Sequence, residues 1–271
     1  MRSPAADLVC FVPMEEAGRN PARLLATWAD FVAARSTSTS TSTSTSASTS
    51  VSTGAAVRGI GEPIWPGRSA DQVEEALRHE ALLNLAFRTT DGLRLRCPYD
   101  AAGLDASVVH QACRDHPWLH TSERSGLSPS FRPAVDRWLD GALPPPPATA
   151  DELAFDRSNL RAVRRRAARV AGDAGYPSSR ADDVVLAVSE AVTNSVRHGG
   201  GSGTARFWTA DGSLFCEVRD TGRITDPLAG RLRPGADQLQ GRGLWLIQQV
   251  CDLVRVRCDP EGQVVQLRFD R

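Results

Sequence analysis

An acid, an amide and an imidazole recur at intervals of four residues in one apolar segment of this chain, as Glu190, Asn194 and His198. Residues four apart share one face of an α-helix. The valines interleaved with them would form the core-facing side of that helix, so the acid and the amide belong at the rim of its core. In isolation, such a pair is more often a solvated helix face with a hydrogen bond between neighbouring turns. Whether the pair has a function therefore depends on which other residues of the chain accompany it.

The chain supplies three further features downstream, in an order that suits a nucleotide. Asp220 is expected to end a strand, where its carboxylate can accept a hydrogen bond from an exocyclic amine, and Gly222 lets a flat ligand approach the backbone. Residues 223–240 form a long aperiodic stretch with two prolines and two glycines, a length that usually indicates a functional lid. Gly241 and Gly243 then open a helix whose free N–H groups and positive dipole end favour an anion. Together these features predict an ATP site.

The composition narrows how such a site can work. All 32 basic residues are arginine, so a Walker A loop and Schiff-base chemistry, which both need lysine, are excluded. The 32 acidic residues balance the 32 arginines, so the formal net charge is zero. A chain without net positive charge does not attract nucleic acid over a distance, and no direct nucleic-acid partner is expected. The apolar runs are far shorter than the ~18 residues of a membrane span, and the N-terminus lacks the apolar core of a secretory signal. We therefore expect a soluble, cytoplasmic protein with no membrane partner.

Two compositional breaks divide the chain. Residues 36–53 alternate Ser and Thr almost strictly and offer nothing large enough to pack, which predicts a disordered insertion. Residues 141–150 contain four consecutive prolines, typical of a stiff polyproline II linker. The expected organisation is an N-terminal domain over 1–140, that linker, and a C-terminal domain over 151–271.

The N-terminal domain alternates helical and strand patterns, which argues for an α/β layer fold. Helices are predicted over 20–34, with Asn20 as the cap, and over 71–87. Strands are predicted over 57–61 and 93–97.

The C-terminal domain reads as an α/β sandwich, an antiparallel-rich sheet with its helices on one face. Ser158 is expected to cap the first helix and Ser179 or its neighbours the second. An Asp-Gly pair at 211–212 predicts a hairpin turn. The expected elements are helices over 159–171, 179–198 and 244–250, and strands over 204–208, 214–219, 253–258 and 264–269.

Three separated blocks of this domain resemble those of the GHKL (Bergerat-fold) ATPases, and most closely the anti-sigma-factor serine kinases among them. The blocks are Ser189–Gly199, Asp220–Gly222 and Gly241–Ile247, and the similarity spans residues 156–271. The resemblance implies a Bergerat fold that binds ATP and Mg²⁺ and phosphorylates a serine or threonine of a partner. The implied partners are a STAS-type anti-anti-sigma protein and a sigma factor, which would make the chain a regulator of transcription.

The same resemblance implies a role for each matching residue. Asn194 would ligate Mg²⁺, Glu190 would orient or deprotonate the attacking hydroxyl, and Asp220 would accept from the adenine amino group beside Gly222. A general base typically accelerates a reaction by ~10²–10⁴-fold. The rest of the rate enhancement would have to come from the metal ion and from positioning of the phosphates by the backbone. The residues that would hold the phosphates are Gly241, Arg242, Gly243 and Leu244.

Four blocks of the N-terminal domain are similar to the MEDS sensory domain, over about residues 11–119. The blocks are Glu15–Arg23, Val57–Gly67, His79–Phe87 and Cys97–Asp100. This resemblance implies a small-molecule signal sensed ahead of the ATPase. The pair His79-Glu80 also invites comparison with the phosphoacceptor of sensor histidine kinases, but no long paired helices surround it, and a helix-surface histidine is the preferred interpretation. Cys97 is interpreted as a buried strand-end thiol, and all six cysteines as reduced thiols on which no metal site is expected.

Three functions stay open at this stage. The leading hypothesis is an anti-sigma-type serine/threonine kinase. The second is a binding module in which ATP gates partner capture through the lid without phosphoryl transfer, and the third is a histidine kinase. Arginines between 161 and 169 form a basic helix face, usually a solvated one, where an acidic partner could dock. The oligomeric state, a homodimer included, is left open.

Overall fold

The stretches that the computed structural model describes are residues 9–38, 57–133, 139–235 and 241–271. Most of the predicted Ser/Thr insertion falls outside them, and only 36–38 is described, as the end of a helix. Residues 236–240 of the predicted lid also lie outside the described stretches.

The N-terminal region is an α/β unit built around one helix. Strands β1 (Val57–Ile60) and β2 (Leu93–Arg96) pair in parallel, and the helix between them in the chain is α3 (Ala70–Ala86). Ser69 and Gln72 form a capping box that starts α3. The remaining elements are α1 (Met14–Ala17), α2 (Ala22–Ser38), α4 (Ala106–Asp115) and the antiparallel pair β3 (Trp118–His120) and β4 (Ser125–Leu127).

The C-terminal region contains a five-stranded antiparallel sheet in the order β5-β6-β7-β9-β8. Asp211 and Gly212 both have positive φ, 50° and 77°, so the Asp-Gly pair makes the tight turn that its sequence predicts. The strands are β5 (Asp151–Asp156), β6 (Ser202–Ala210), β7 (Ser213–Asp220), β8 (Leu253–Asp259) and β9 (Gly262–Phe269).

Three helices cover one face of this sheet, namely α5 (Leu160–Asp173), α6 (Ser178–His198) and α7 (Arg242–Val250). The registers align apolar side chains in rows across the strands beneath them. One row runs through Phe207, Cys216, Leu267 and Val254, all buried. Burying such side chains contributes ~1.5–3 kcal/mol each. The predicted α/β sandwich with helices on one face is confirmed.

The other face of the sheet is covered near β8 by the N-terminal region. Arg255 and Arg257, which alternate with core residues, pair with Glu74 of α3, and Arg255 also lies 3.0 Å from Asp71. At the end of α7, the Asn20 side chain donates to the Gln248 carbonyl at 3.0 Å. The N-terminal region therefore contacts the sheet of the C-terminal region directly.

Several local predictions need correction. Ser158 does not cap α5, because Asn159 holds that position without a side-chain cap, and the Ser158 hydroxyl donates to Asp156 instead. Neither Ser179 nor the neighbouring Ser178 caps α6, because both lie inside the helix and Pro177 holds the capping position without a side-chain hydrogen bond. Five of the described elements have no counterpart among the predicted ones, namely α1, α4, β3, β4 and β5. Asn20 does accept a hydrogen bond at the start of α2, from the Ala22 N–H at 3.1 Å.

Candidate nucleotide-binding site

Helix α6 places the predicted acid and amide at the rim of the core. Val184, Val188 and Val192 are fully buried, which fixes the rotation of the helix about its axis. Glu190 and Asn194 are half-buried beside this stripe, as their spacing predicted. His198 ends the helix exposed.

The start of α7 lies directly against these two side chains. A Cβ built at Gly243 would be 2.7 Å from Glu190 Oε2 and 3.1 Å from Asn194 Nδ2. Only glycine allows this approach without displacing them. The two blocks, about fifty residues apart in the sequence, are therefore in direct contact.

Asp220, at the end of β7, is buried with both carboxylate oxygens engaged. Its Oδ2 accepts from the Ser195 hydroxyl at 2.5 Å and from the Gln263 amide at 3.1 Å. Its Oδ1 accepts from the Gly222 N–H at 2.7 Å. A carboxylate offers about four acceptor positions, so this network orients Asp220 while leaving acceptor capacity for one more donor.

Close backbone approaches bring the Asp220 block onto the end of α6. A Cβ at Gly222 would be 2.7 Å from the Gly199 Cα, and a Cβ at Gly199 would be 2.3 Å from the Asp220 carboxylate carbon. The Thr221 hydroxyl and N–H both bond to the Gly199 carbonyl at 3.2 Å. The glycine that ends the helix and the glycine after the strand are therefore both needed for this contact.

Gly241 immediately precedes helix α7, and its φ of 86° lies in the left-handed region. The helix is nine residues long, and its first N–H groups have no partners within the helix. Arg242, Gly243 and Leu244 form its first turn. This arrangement is suited to an anion, as the sequence predicted.

The described part of the predicted lid packs on α7 and is tied to the N-terminal region. A Cβ at Gly230 would be 2.7 Å from the Leu244 Cβ. Arg231 is 2% exposed and forms an ion pair with Glu75 of α3, which is equally buried. Arg233 lies 2.9 Å from Asp30. The loop that borders the candidate site is therefore held by the sensory-type region.

Two residues that hold Asp220, Ser195 and Gln263, are not among the site residues predicted from the sequence. Ser195 is 2% exposed and lies on the core side of α6. A polar residue in an apolar helix stripe needs a buried partner, and that signal could have identified it. Gln263 belongs to β9, and only the pairing of Gln263 opposite Asp220 brings the two together.

The structure also shows the surroundings of three other features that the sequence analysis singled out. His79 is 1% exposed, so its interpretation as a helix-surface histidine is wrong, and burial lowers its pKa to about 3. Cys97 follows β2 and burial strongly raises the pKa of its thiol. The basic face of α5 is partly paired, since Arg166 and Arg169 both contact Asp151.

A groove of about 930 Å³ lies at the opposite end of β6 and β7, beside Trp208 and Tyr176. None of the predicted site residues lines it. It is therefore separate from the candidate nucleotide site.

The α/β architecture of the C-terminal region, with its five-stranded antiparallel sheet, is consistent with a GHKL-type ATPase fold. Comparison with known families agrees: residues 153–269 match the histidine kinase-like ATPase domain, and residues 6–117 match MEDS, the methanogen/methylotroph, DcmR sensory domain. The chain combines these two domains, as both resemblances predicted. An ATPase domain of this family implies ATP as its nucleotide.

The relatives found are kinases. The chain is 28% identical to the serine-protein kinase RsbW of Listeria monocytogenes serotype 4a over an aligned stretch of 137 residues; the match covers 45% of this chain and 83% of the relative. The RsbW of Listeria innocua serovar 6a matches to the same extent. These similarities support an ATP-binding, kinase-like regulatory protein. Among the described helices, none is long and apolar enough to cross a lipid bilayer.

Proposed function

We propose that this chain is an ATP-dependent serine/threonine kinase of the anti-sigma type, which phosphorylates a STAS-type anti-anti-sigma partner. The observation that carries the proposal is that α6 contacts both other blocks. Ser195 reaches Asp220, and Glu190 and Asn194 meet the start of α7 at Gly243. One helix thus links an adenine-type acceptor to an anion-binding helix start.

Asp220 would recognise the base. Its carboxylate is held by three donors, and acceptor capacity is left for an exocyclic amine. Such a fixed acceptor loses little orientational freedom when the ligand binds. Gly222 would let the flat ring approach the backbone.

The oxygen ligands that this site would offer suit Mg²⁺. An amide oxygen from Asn194 and phosphate oxygens are hard ligands of the kind that this ion prefers, and the space beside Gly243 is one that a Cβ would fill. Mg²⁺ bound there would neutralise charge on the phosphates. The N–H groups at the start of α7, from Gly241 to Leu244, would hold the phosphate oxygens.

Glu190 would take the proton of the attacking hydroxyl. The hydroxyl oxygen of the partner's serine or threonine then bonds to the γ-phosphorus as the bond to the bridging oxygen breaks, and ADP leaves. Glu190 is half-buried at the rim of the core, a position that a partner's side chain can reach.

A binding module gated by ATP is the second candidate. The buried pair of Arg231 and Glu75 supports it, because this pair ties the loop beside the site to the sensory-type helix. In this alternative, ATP and a signal would change partner capture through that loop without phosphoryl transfer. The burial of His79 gives a phosphohistidine on this residue no support.

Two substitutions separate these functions. The full chain, Glu190→Gln and Asn194→Ala would be used to capture partners with and without Mg·ATP, and phosphosites on the captured protein would be mapped. The kinase proposal expects Glu190→Gln to bind ATP but lose at least ~10²-fold in phosphoryl transfer, and Asn194→Ala to lose Mg·ATP binding. Asp182→Asn, an exposed position on the same helix, is the matched control.

The outcomes are distinguishable. A partner captured in an ATP-dependent manner but never phosphorylated would favour the binding module. Full phosphoryl transfer by Glu190→Gln would remove Glu190 from the proposed role.

A further inference from the structure

A second cluster of reactive side chains lies in the N-terminal region, away from the nucleotide site. It joins Glu80 of α3, Cys97 just after β2, and His116 at the end of α4. One donor atom of each lies within 4.8 Å of the other two. The three residues come from three elements, so the fold rather than a local motif brings them together.

Glu80 is a buried acidic side chain whose hydrogen-bonding capacity is not satisfied by the described residues. It is 1% exposed, and among the described residues neither of its carboxylate oxygens accepts a well-formed hydrogen bond. Leaving a buried polar group unsatisfied costs ~1–3 kcal/mol, and more for a charged group. A cation bound between Glu80 and its neighbours would remove that cost.

His116 is oriented as a ligand. Its Nδ1 lies 2.8 Å from the Ala112 carbonyl oxygen, which requires the proton on Nδ1 and leaves the Nε2 lone pair available. A histidine that ligates a metal through one ring nitrogen usually donates the N–H of the other in this way. Nε2 lies 3.4 Å from Glu80 Oε2.

The distances match a small tetrahedral ion. Bonds of ~2.0–2.1 Å at a tetrahedral centre separate a nitrogen and an oxygen ligand by about 3.3–3.4 Å, which is the Glu80–His116 separation. A thiolate bond of ~2.3 Å places the sulfur about 3.6 Å from the other two ligands. Since the donor atoms of the cluster all lie within 4.8 Å of one another, the third ligand needs to move closer by at most about 1.2 Å.

We propose that Glu80, Cys97 and His116 form a site for Zn²⁺ or a similar transition-metal ion. Thiolate, imidazole and carboxylate are the ligands that zinc takes in proteins, and one thiolate and one carboxylate balance its charge. The three protein ligands leave a fourth position for water or a small donor molecule. Tyr99 packs edge-on against the His116 ring at 5.8 Å and buries a hydroxyl without a partner among the described residues, which suits such a molecule nearby. This proposal does not depend on the nucleotide site.

The test uses the full chain without a polyhistidine tag. After chelation, the folded protein is titrated with Zn²⁺ and the bound metal counted by elemental analysis, and Co²⁺ is then used as a spectroscopic substitute. We expect one tight ion per chain and a thiolate-to-cobalt charge-transfer band. Cys97→Ser should abolish that band, and Glu80→Gln and His116→Ala should each weaken Zn²⁺ binding at least 10-fold.

Cys113→Ser is the matched control, because Cys113 is a partly exposed cysteine on α4, three residues before His116. It should bind metal as the unmodified chain does. If a variant does not fold, the unmodified chain still decides the matter: Zn²⁺ should protect Cys97 from alkylation, as read by mass spectrometry. The absence of stoichiometric metal binding by the folded chain, or an unchanged cobalt band in Cys97→Ser, would overturn the proposal.

Discussion

Replacing Gly243 by alanine tests the contact that brings the two halves of the candidate site together. The added Cβ would lie 2.7 Å from Glu190 Oε2 and 3.1 Å from Asn194 Nδ2. Restoring ordinary contact of ~3.4 Å moves the carboxylate by about 0.7 Å and the amide by about 0.3 Å. Because the nearest atom ends a flexible side chain, the free energy of unfolding should change by less than ~1 kcal/mol.

The functional effect should be larger than the effect on stability. A misplacement near 1 Å can cost ~10²-fold in rate, so we expect phosphoryl transfer to fall about 10- to 100-fold and Mg·ATP affinity about 10-fold, or ~1.4 kcal/mol. Thermal unfolding, calorimetric titration and turnover assays would measure these three quantities. Gly172→Ala is the control, because Gly172 is also helical but a Cβ there meets nothing within 4 Å. Wild-type ATP affinity and turnover in Gly243→Ala would refute the reasoning.

Three further predictions follow from buried polar groups and thiols. Ser195→Ala removes the 2.5 Å donor to Asp220 and should lower the free energy of unfolding by about 1–3 kcal/mol and weaken ATP binding; an unchanged urea midpoint would contradict this. Glu75→Gln leaves the buried Arg231 without its counter-charge and should cost about 3–5 kcal/mol; a loss under ~1 kcal/mol in the same assay would count against that burial. Burial raises the pKa of the Cys216 thiol, so iodoacetamide should label it only after denaturation, and native-state labelling detected by mass spectrometry would argue otherwise.

The parts of the site that depend on local periodicity could be predicted from the sequence. The four-residue spacing of Glu190 and Asn194 fixes their shared helix face, and buried valines fix which way that face points. The Asp-Gly turn at 211–212 depends on two residues alone. Such features need no information from distant segments.

The parts of the site that depend on contacts between distant segments could not be predicted from the sequence. The approach of Gly243 to α6, and the hydrogen bond from Gln263 to Asp220, appear only when the sheet register and helix packing are known. His79 illustrates the same limit. Residues 75–82 of α3 are all buried, charged ones included, because neighbouring elements and the ATPase domain enclose the helix on several sides. A pattern that assumes one solvated face cannot anticipate this enclosure.

Equilibrium binding of Mg·ATP to the unmodified full chain tests the central claim most directly. Calorimetry should give one nucleotide per chain, with an affinity that falls when Mg²⁺ is chelated and falls again in Asp220→Ala. The absence of saturable ATP binding by protein shown to be folded would contradict the assignment of Asp220, Asn194 and the start of α7 to one nucleotide site.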